Sequence, residues 1–209
     1  MGKIFIIIIL FISLFNFKVK ATINCGQLTE KIEKEYKIPN KLLTSISLVE
    51  SGVKKEGRFV SWPWTLNVSG KSKFFNNRNE TLDYLRKNYK KKKNIDVGCM
   101  QISLKYHKQN FKSLDHVLDP ETNVRYAAEY LRSLHTKYKT WNEAISRYHS
   151  SVPKRKVRYL KKVKNYWSDL RQQKIKIPIS IGLDVLSKRD KKIKYFKEEF
   201  RKQKLLDNI

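Results

Sequence analysis

Glu50 is the residue whose setting in this 209-residue chain is most suited to chemistry. It closes an apolar, helix-forming run, Leu42-Leu43-Thr44-Ser45-Ile46-Ser47-Leu48-Val49. A carboxyl flanked by so much hydrocarbon is partly desolvated, which disfavours its charged form and raises its pKa. The negative C-terminal end of the helix pushes the same way. A glutamic acid kept protonated near neutral pH can hand a proton to a leaving oxygen. The setting alone does not identify a catalyst, because a glutamate at a helix end is ordinarily a solvated surface group. Other chemistries find less support. His107, His116, His135 and His149 lack metal-ligand spacing, no His-Glu-x-x-His occurs, and no glycine-rich phosphate loop is present, so neither metal nor cofactor is expected.

The elements that must position Glu50 read as mainly helical. Leu28, Ile32 and Tyr36 recur at helical spacing, Ile38-Pro39-Asn40 interrupts them, and Leu42 to Val49 form the second helix. Gly52 is its natural C-terminal stop. From Arg58 to Phe75 the pattern changes, and Trp62 to Val68, Ser69-Gly70-Lys71 and Phe74-Phe75 suggest one short β-hairpin. A helical period resumes from Asn79 to Lys92. Ile95 to Leu104 is too short and β-branched for a surface helix. Asp119-Pro120 supplies an N-cap followed by proline at the first helical position. Thr140 and Glu143 read as a capping box for the next helix. Pro153 opens a longer basic helix with Val157, Leu160, Val163, Trp167 and Leu170 as its apolar positions.

Met1-Gly2-Lys3, an apolar run from Ile4 to Phe17, and Val19-Lys20-Ala21 follow the plan of a secretory signal peptide. The run is shorter than the roughly 20 residues a spanning helix needs, although an uncleaved N-terminal anchor is the alternative. Residues 1–21 are therefore expected to be a signal peptide and 22–173 one domain. Residues 174–209 would be a basic extension, a helix or a disordered tail. Asn24 before Cys25 argues against a lipid anchor. In an oxidising compartment Cys25 and Cys99 favour a disulfide, with two buried thiols as the other possibility.

The formal charge is +27, and from Lys154 onward 19 basic residues stand against 6 acidic ones. Such an excess attracts polyanions. Export makes nucleic acid an implausible partner and anionic wall polymers or phospholipid head groups better ones. A plain abundance of surface lysine explains the charge equally well.

Four segments come in order after the helix: Glu50-Ser51-Gly52, Gly98-Cys99-Met100-Gln101-Ile102, Ala127-Ala128-Glu129-Tyr130-Leu131 and Ala144-Ile145-Ser146-Arg147-Tyr148-His149-Ser150. They resemble the Glu-Ser, Gly-Leu-Met-Gln, helical Ala/Leu and Ala-x-x-x-Tyr-Asn motifs of the soluble lytic transglycosylase (SLT) domain. The resemblance runs from about Cys25 to Tyr166 and implies the goose-type lysozyme-like fold with a small β-hairpin insertion. Trp62-Pro63-Trp64-Thr65-Leu66-Asn67 and Asp96-Val97-Gly98-Cys99-Met100-Gln101 are similar to a bacterial subgroup of that family. A cysteine near the mature N-terminus also fits it, which strengthens the Cys25–Cys99 disulfide.

The resemblance implies that Glu50 is the sole catalytic acid/base. Gln101 is expected to line a sugar groove, Tyr148 to hydrogen-bond or orient Glu50, and Met100 with Gly98 to shape the floor. Ser51, Trp64 and His149 are expected among the substrate contacts, with Trp62 and Trp64 candidates for stacking on sugar rings. His149 departs from the family's Asn, and Ser103 stands where Asn or Met is expected. Most glycosidases use two carboxylates; with a single one, the resemblance implies help from the substrate's N-acetyl group and a 1,6-anhydromuramyl product, with hydrolysis by a captured water as the other outcome. The expected reading is a monomeric periplasmic peptidoglycan lytic transglycosylase. The alternative is a wall-binding assembly factor of an envelope-spanning secretion system with weak or muramidase-type activity.

Overall fold

The computed structural model describes residues 24–92 and 94–173; the signal-peptide and C-terminal-extension expectations lie outside the described residues. The described residues start with α1 (Cys25–Glu35) and α2 (Leu42–Ser51). Two hairpins follow, β1 (Gly52–Lys55) with β2 (Arg58–Ser61) and β3 (Thr65–Val68) with β4 (Lys71–Phe74). Then come α3 (Arg78–Asn88), β5 (Ile95–Val97), β6 (Ile102–Ser103), and the short α4 (Leu104–His107) and α5 (Leu114–Leu118). The described residues end with α6 (Pro120–Tyr138), α7 (Trp141–His149) and α8 (Pro153–Gln173). This is a mainly helical, lysozyme-like architecture with a small antiparallel sheet.

The helix carrying Glu50 is the centre of the molecule. Leu42, Leu43, Thr44, Ser45, Ile46 and Ser47 are all buried, so α2 is covered on every side instead of presenting one stripe. Each large aliphatic side chain buried this way contributes about 1.5–3 kcal/mol. The small hydroxyls let neighbours come close, as where Thr29 of α1 meets Thr44 at 3.0 Å between hydroxyls. Lys41, at the N-cap, lies in the left-handed region and caps nothing with its own side chain. The buried Glu33 carboxylate of α1 does so in its place, accepting from the backbone N–H of Lys41 at 2.7 Å and of Leu43 at 3.2 Å. Acceptors at a helix N-terminus satisfy N–H groups that have no intrahelical partner. α8 packs along α2, pinned where the Trp167 indole donates to the Asn40 carbonyl at 2.8 Å.

Four expectations are corrected. The single hairpin is two, and β3–β4 is the edge of a four-stranded sheet ordered β4-β3-β5-β6. Glu56 and Gly57 turn the first hairpin with positive φ at both positions, a primed two-residue turn. Its strands are largely exposed and charged, so the two-residue alternation that marks a half-buried strand is missing. Gly52 ends α2 in extended conformation, at φ −64°, not in a left-handed cap. Glycine is needed there for room, because a Cβ would sit 2.3 Å from the Leu48 carbonyl oxygen and 2.4 Å from the Phe59 ring. The capping box at α7 is half formed. Thr140 accepts from the Glu143 N–H at 3.2 Å, while the Glu143 carboxylate turns to Arg147 and Lys156. Asp119 caps α6 as its sequence predicts, accepting from the Thr122 N–H at 2.8 Å. Val157 of α8 is 69% exposed, and the buried positions of that helix are Tyr159 and Val163.

Candidate active site

Glu50 occupies the last turn of α2, at the junction of that helix with α8 and the sheet. Tyr159 of α8 donates its hydroxyl to Glu50 Oε1 at 2.5 Å. Burial raises the Glu50 carboxyl from its usual 4.5 to about 7, and the nearby negative charge of Asp96 adds to the rise. The Tyr159 hydrogen bond and the positive charge of Lys162 oppose it. Desolvation outweighs these, so a substantial fraction of Glu50 carries a proton at neutral pH. Glu50 still keeps part of its surface open to solvent, as a proton donor to an outside molecule must.

The floor is the turn between β5 and β6. Gly98 stands at φ +79° directly over Asn123, whose amide nitrogen would lie 2.9 Å from any Cβ placed there. Asn123 is fully buried and ties the turn together. Its amide donates to the Val97 and Val117 carbonyls at 2.9 and 3.0 Å, and its Oδ1 accepts from the Met100 N–H at 2.9 Å. Gln101, at φ +47°, donates its amide to the Gly98 carbonyl at 2.9 Å and the Thr65 carbonyl at 3.2 Å. Those bonds fix the side chain and leave its carbonyl oxygen as the group it can present to the groove. Met100 and Cys99 are fully buried beneath, and Cys99 is joined to Cys25 by a disulfide with its Cα atoms 5.8 Å apart.

Ser51 is 1% exposed, which leaves it nothing to offer a substrate. Its hydroxyl lies 2.8 Å from the Cys99 carbonyl and 3.1 Å from that of Ser47, tying the floor to the end of α2. Tyr148 behaves similarly. Its hydroxyl donates to the Met100 carbonyl at 2.9 Å, so the hydrogen-bond partner of Glu50 is Tyr159, not Tyr148. Burial and the neighbouring Glu50 charge keep the Tyr148 phenol well above its usual pKa. His149 lays its ring on Tyr159, centroids 4.5 Å apart and planes within 3°. Burial and then the nearby Arg155 and Lys162 lower its pKa, so its ring is neutral at neutral pH. Trp64 is half-buried and packs against the core. Trp62 is anchored by its indole N–H on the Phe75 carbonyl at 2.8 Å, and the Lys55 ammonium covers its ring at 3.2 Å from the centroid.

Asp96 brings a second carboxylate to the site. In the sheet it pairs with Asn67 on one side and Ser103 on the other, while its neighbours Ile95 and Val97 are buried. Alternation along the strand therefore sends Asp96 to the face away from those two. Its own pKa is raised by burial, partly offset by the Ser103 hydroxyl. Nothing in the sequence singled out Tyr159 or Asn123. Tyr159, Val163 and Trp167 recur at helical spacing, and a tyrosine in such a stripe reads as core. Asn123 sits on the apolar face of α6 beside Val124, and an amide on a buried face was the one available signal. Among the described residues no three His, Cys, Asp or Glu side chains converge to hold a metal ion.

The arrangement is a carboxyl that stays partly protonated at neutral pH, held by a phenol beside a hydrogen-bonded backbone floor, and suited to general-acid cleavage. A family model described as the Transglycosylase SLT domain matches residues 27–169, well over half of the chain. No curated protein and no solved structure matches it.

Proposed function

Because this chain belongs to the transglycosylase SLT domain family, a family of glycan-cleaving enzymes, we propose that it is a peptidoglycan lytic transglycosylase working through Glu50. The bond cut is the β-1,4 link from N-acetylmuramic acid to N-acetylglucosamine. The observation that carries this reading is the Glu50 carboxyl, raised to about 7 and gripped by Tyr159 at 2.5 Å. Glu50 in its acid form gives its proton to the glycosidic oxygen as the C1–oxygen bond breaks. The carbonyl oxygen of the substrate's own N-acetyl group closes on C1 and carries the developing positive charge. The Glu50 carboxylate then takes the proton of the muramyl 6-hydroxyl, whose oxygen attacks C1 and displaces the acetamido oxygen. The product ends in a 1,6-anhydromuramyl ring and the carboxyl is protonated again. Tyr159 stabilises the carboxylate between the two steps, and Lys162 adds a favourable charge.

Hydrolysis is the second reading, and Asp96 favours it. A second carboxylate within electrostatic reach of Glu50 is the part a water-activating mechanism requires. Mass spectra of the fragments released from purified wall separate the two outcomes. Anhydro ends from the wild type, and none from Glu50→Gln, support the lyase; fragments heavier by one water support hydrolysis; no release by the wild type overturns both. The signal-peptide pattern at the N-terminus supports export to the periplasm as the setting for this work, and the basic excess from Lys154 onward supports docking on anionic wall or membrane.

A further inference from the structure

The last two residues of α7, Tyr148 and His149, both carry rings, and each ring meets a different element. Tyr148 donates to the Met100 carbonyl at 2.9 Å and so anchors the end of the helix to the floor. His149 meets Tyr159 of α8 in an offset parallel stack, centroids 4.5 Å apart and planes within 3°. It stands where the related motif carries Asn, a side chain with no ring to offer such a face.

Tyr159 meets Glu50 through its tip, the hydroxyl donating to Oε1 at 2.5 Å. A phenolic O–H lies in the plane of its ring, and a hydrogen bond weakens as the donor turns off its acceptor. Rotation of the ring about its long axis leaves the oxygen in place and swings the O–H away from Oε1. A flat partner against the ring face blocks that rotation. α2 thus supplies the carboxyl, α8 the phenol, and α7 the plate behind it, fixed by the Tyr148 anchor one residue earlier. Burial, then Arg155 and Lys162 of α8, lower the His149 pKa, so the plate is uncharged at neutral pH. The groups that act directly on the Glu50 carboxyl are Tyr159, Asp96 and Lys162. His149 is not one of them, and its route to the carboxyl is the phenol.

On the reading of Glu50 as the acid of a glycan-cleaving enzyme, we propose that His149 is a positioning residue. It holds the Tyr159 ring in the plane that aims its hydroxyl at Glu50, and serves the reaction in that way instead of by a contact with the glycan. Loss of the plate then has the same consequence as loss of the hydroxyl, smaller in size.

Carboxyl-carbon NMR of the full-length protein across pH reads the Glu50 titration midpoint without turnover, its signal identified by its loss in Glu50→Gln. Rates on solubilised glycan strands read kcat and KM. His149→Ala and His149→Leu both remove the flat face, the second with the bulk kept. Each is expected to move the midpoint further above about 7 and to carry the alkaline limb of kcat/KM with it. kcat should fall about fivefold with KM unchanged. His149→Phe keeps the face and should restore midpoint, limb and kcat together. In a Tyr159→Phe background His149→Ala should add nothing. A midpoint left at the wild-type value by both His149→Ala and His149→Leu overturns the proposal, as do effects that add to those of Tyr159→Phe. A raised KM in His149→Phe also overturns it, and assigns the ring nitrogens to the substrate. Failure of the wild type to cleave glycan overturns the glycan-cleavage reading instead, and the midpoint still decides the role of His149.

Discussion

Tyr159 and Glu50 are 109 residues apart in the chain and share a 2.5 Å hydrogen bond, the hydroxyl donating to Oε1. That contact joins the end of α2 to the middle of α8. It fixes the carboxyl's direction and lowers its pKa, against the burial that raises it. A charge-assisted bond of this kind is worth about 1.5–3 kcal/mol.

Tyr159→Phe deletes the donor and keeps the ring. The hydrogen bond favours the carboxylate, so its loss moves the Glu50 pKa further above about 7. A general acid works protonated, and its activity falls as pH rises through its pKa. The alkaline limb of the kcat/KM profile is therefore expected to shift to higher pH. At the optimum kcat falls about tenfold, for roughly 1.4 kcal/mol of lost positioning. An unchanged alkaline limb in turbidity assays across pH would count against this role.

Asp96→Asn moves the limb the other way. The groups acting on Glu50 are Tyr159 and Lys162 from α8 and Asp96 from the sheet, with Tyr148 of α7 close by. Of these Asp96 is the one whose charge holds the proton on. Its removal lowers the Glu50 pKa, and the alkaline limb retreats to lower pH. A variant that loses all activity at every pH would instead mark Asp96 as a reacting group, and the fragment spectra would then favour hydrolysis.

Glu50→Gln is expected to stabilise the fold while abolishing cleavage. In the folded protein the carboxyl titrates near 7, above its usual 4.5. Between those values the folded state holds a proton that the unfolded chain has released, so stability falls as pH rises through that window. Glutamine carries no charge to desolvate. The variant should gain up to about 3 kcal/mol at pH 8 and little at pH 4, read as the difference in Tm at the two pH values.

Asn123→Ala attacks the floor from beneath. It removes two donated bonds and one accepted bond, leaving the Val97 and Val117 carbonyls and the Met100 N–H buried without partners. A cost of about 2–4 kcal/mol is expected in chemical denaturation, because each orphaned buried group costs about 1–3 kcal/mol and the groups share one site. Gly98→Ala meets the same amide from above and needs φ +79°, so it too should destabilise.

Reducing the Cys25–Cys99 disulfide frees a loop spanning 74 positions. In the chain-entropy account the lost stabilisation is about 4 kcal/mol. Thermal melts with and without reductant should separate by several degrees. The effect should extend to activity, because the Cys99 carbonyl receives the Ser51 hydroxyl and belongs to the floor.

The sequence by itself determined the helices whose signals are local. Asp119-Pro120 announced α6, Pro153 announced α8, and the apolar run before Glu50 announced a helix that the fold buries. It also marked Glu50, the floor segment around Gly98 and Gln101, and the two cysteines, because their spacing resembles that of a known family. The tertiary structure decided everything that depends on two distant segments meeting. Whether Tyr148 or Tyr159 reaches Glu50 is settled by how the helices pack, and the sequence pointed to Tyr148 alone. Ser51 looked like a groove residue from its neighbour and proved to be a buried tether, since adjacent positions on a helix point about 100° apart. Asp96 gained its meaning only when the sheet register turned it away from the core. The Glu50 pKa belongs to the same class, because burial, a phenol, a carboxylate and an ammonium from separate elements set it together.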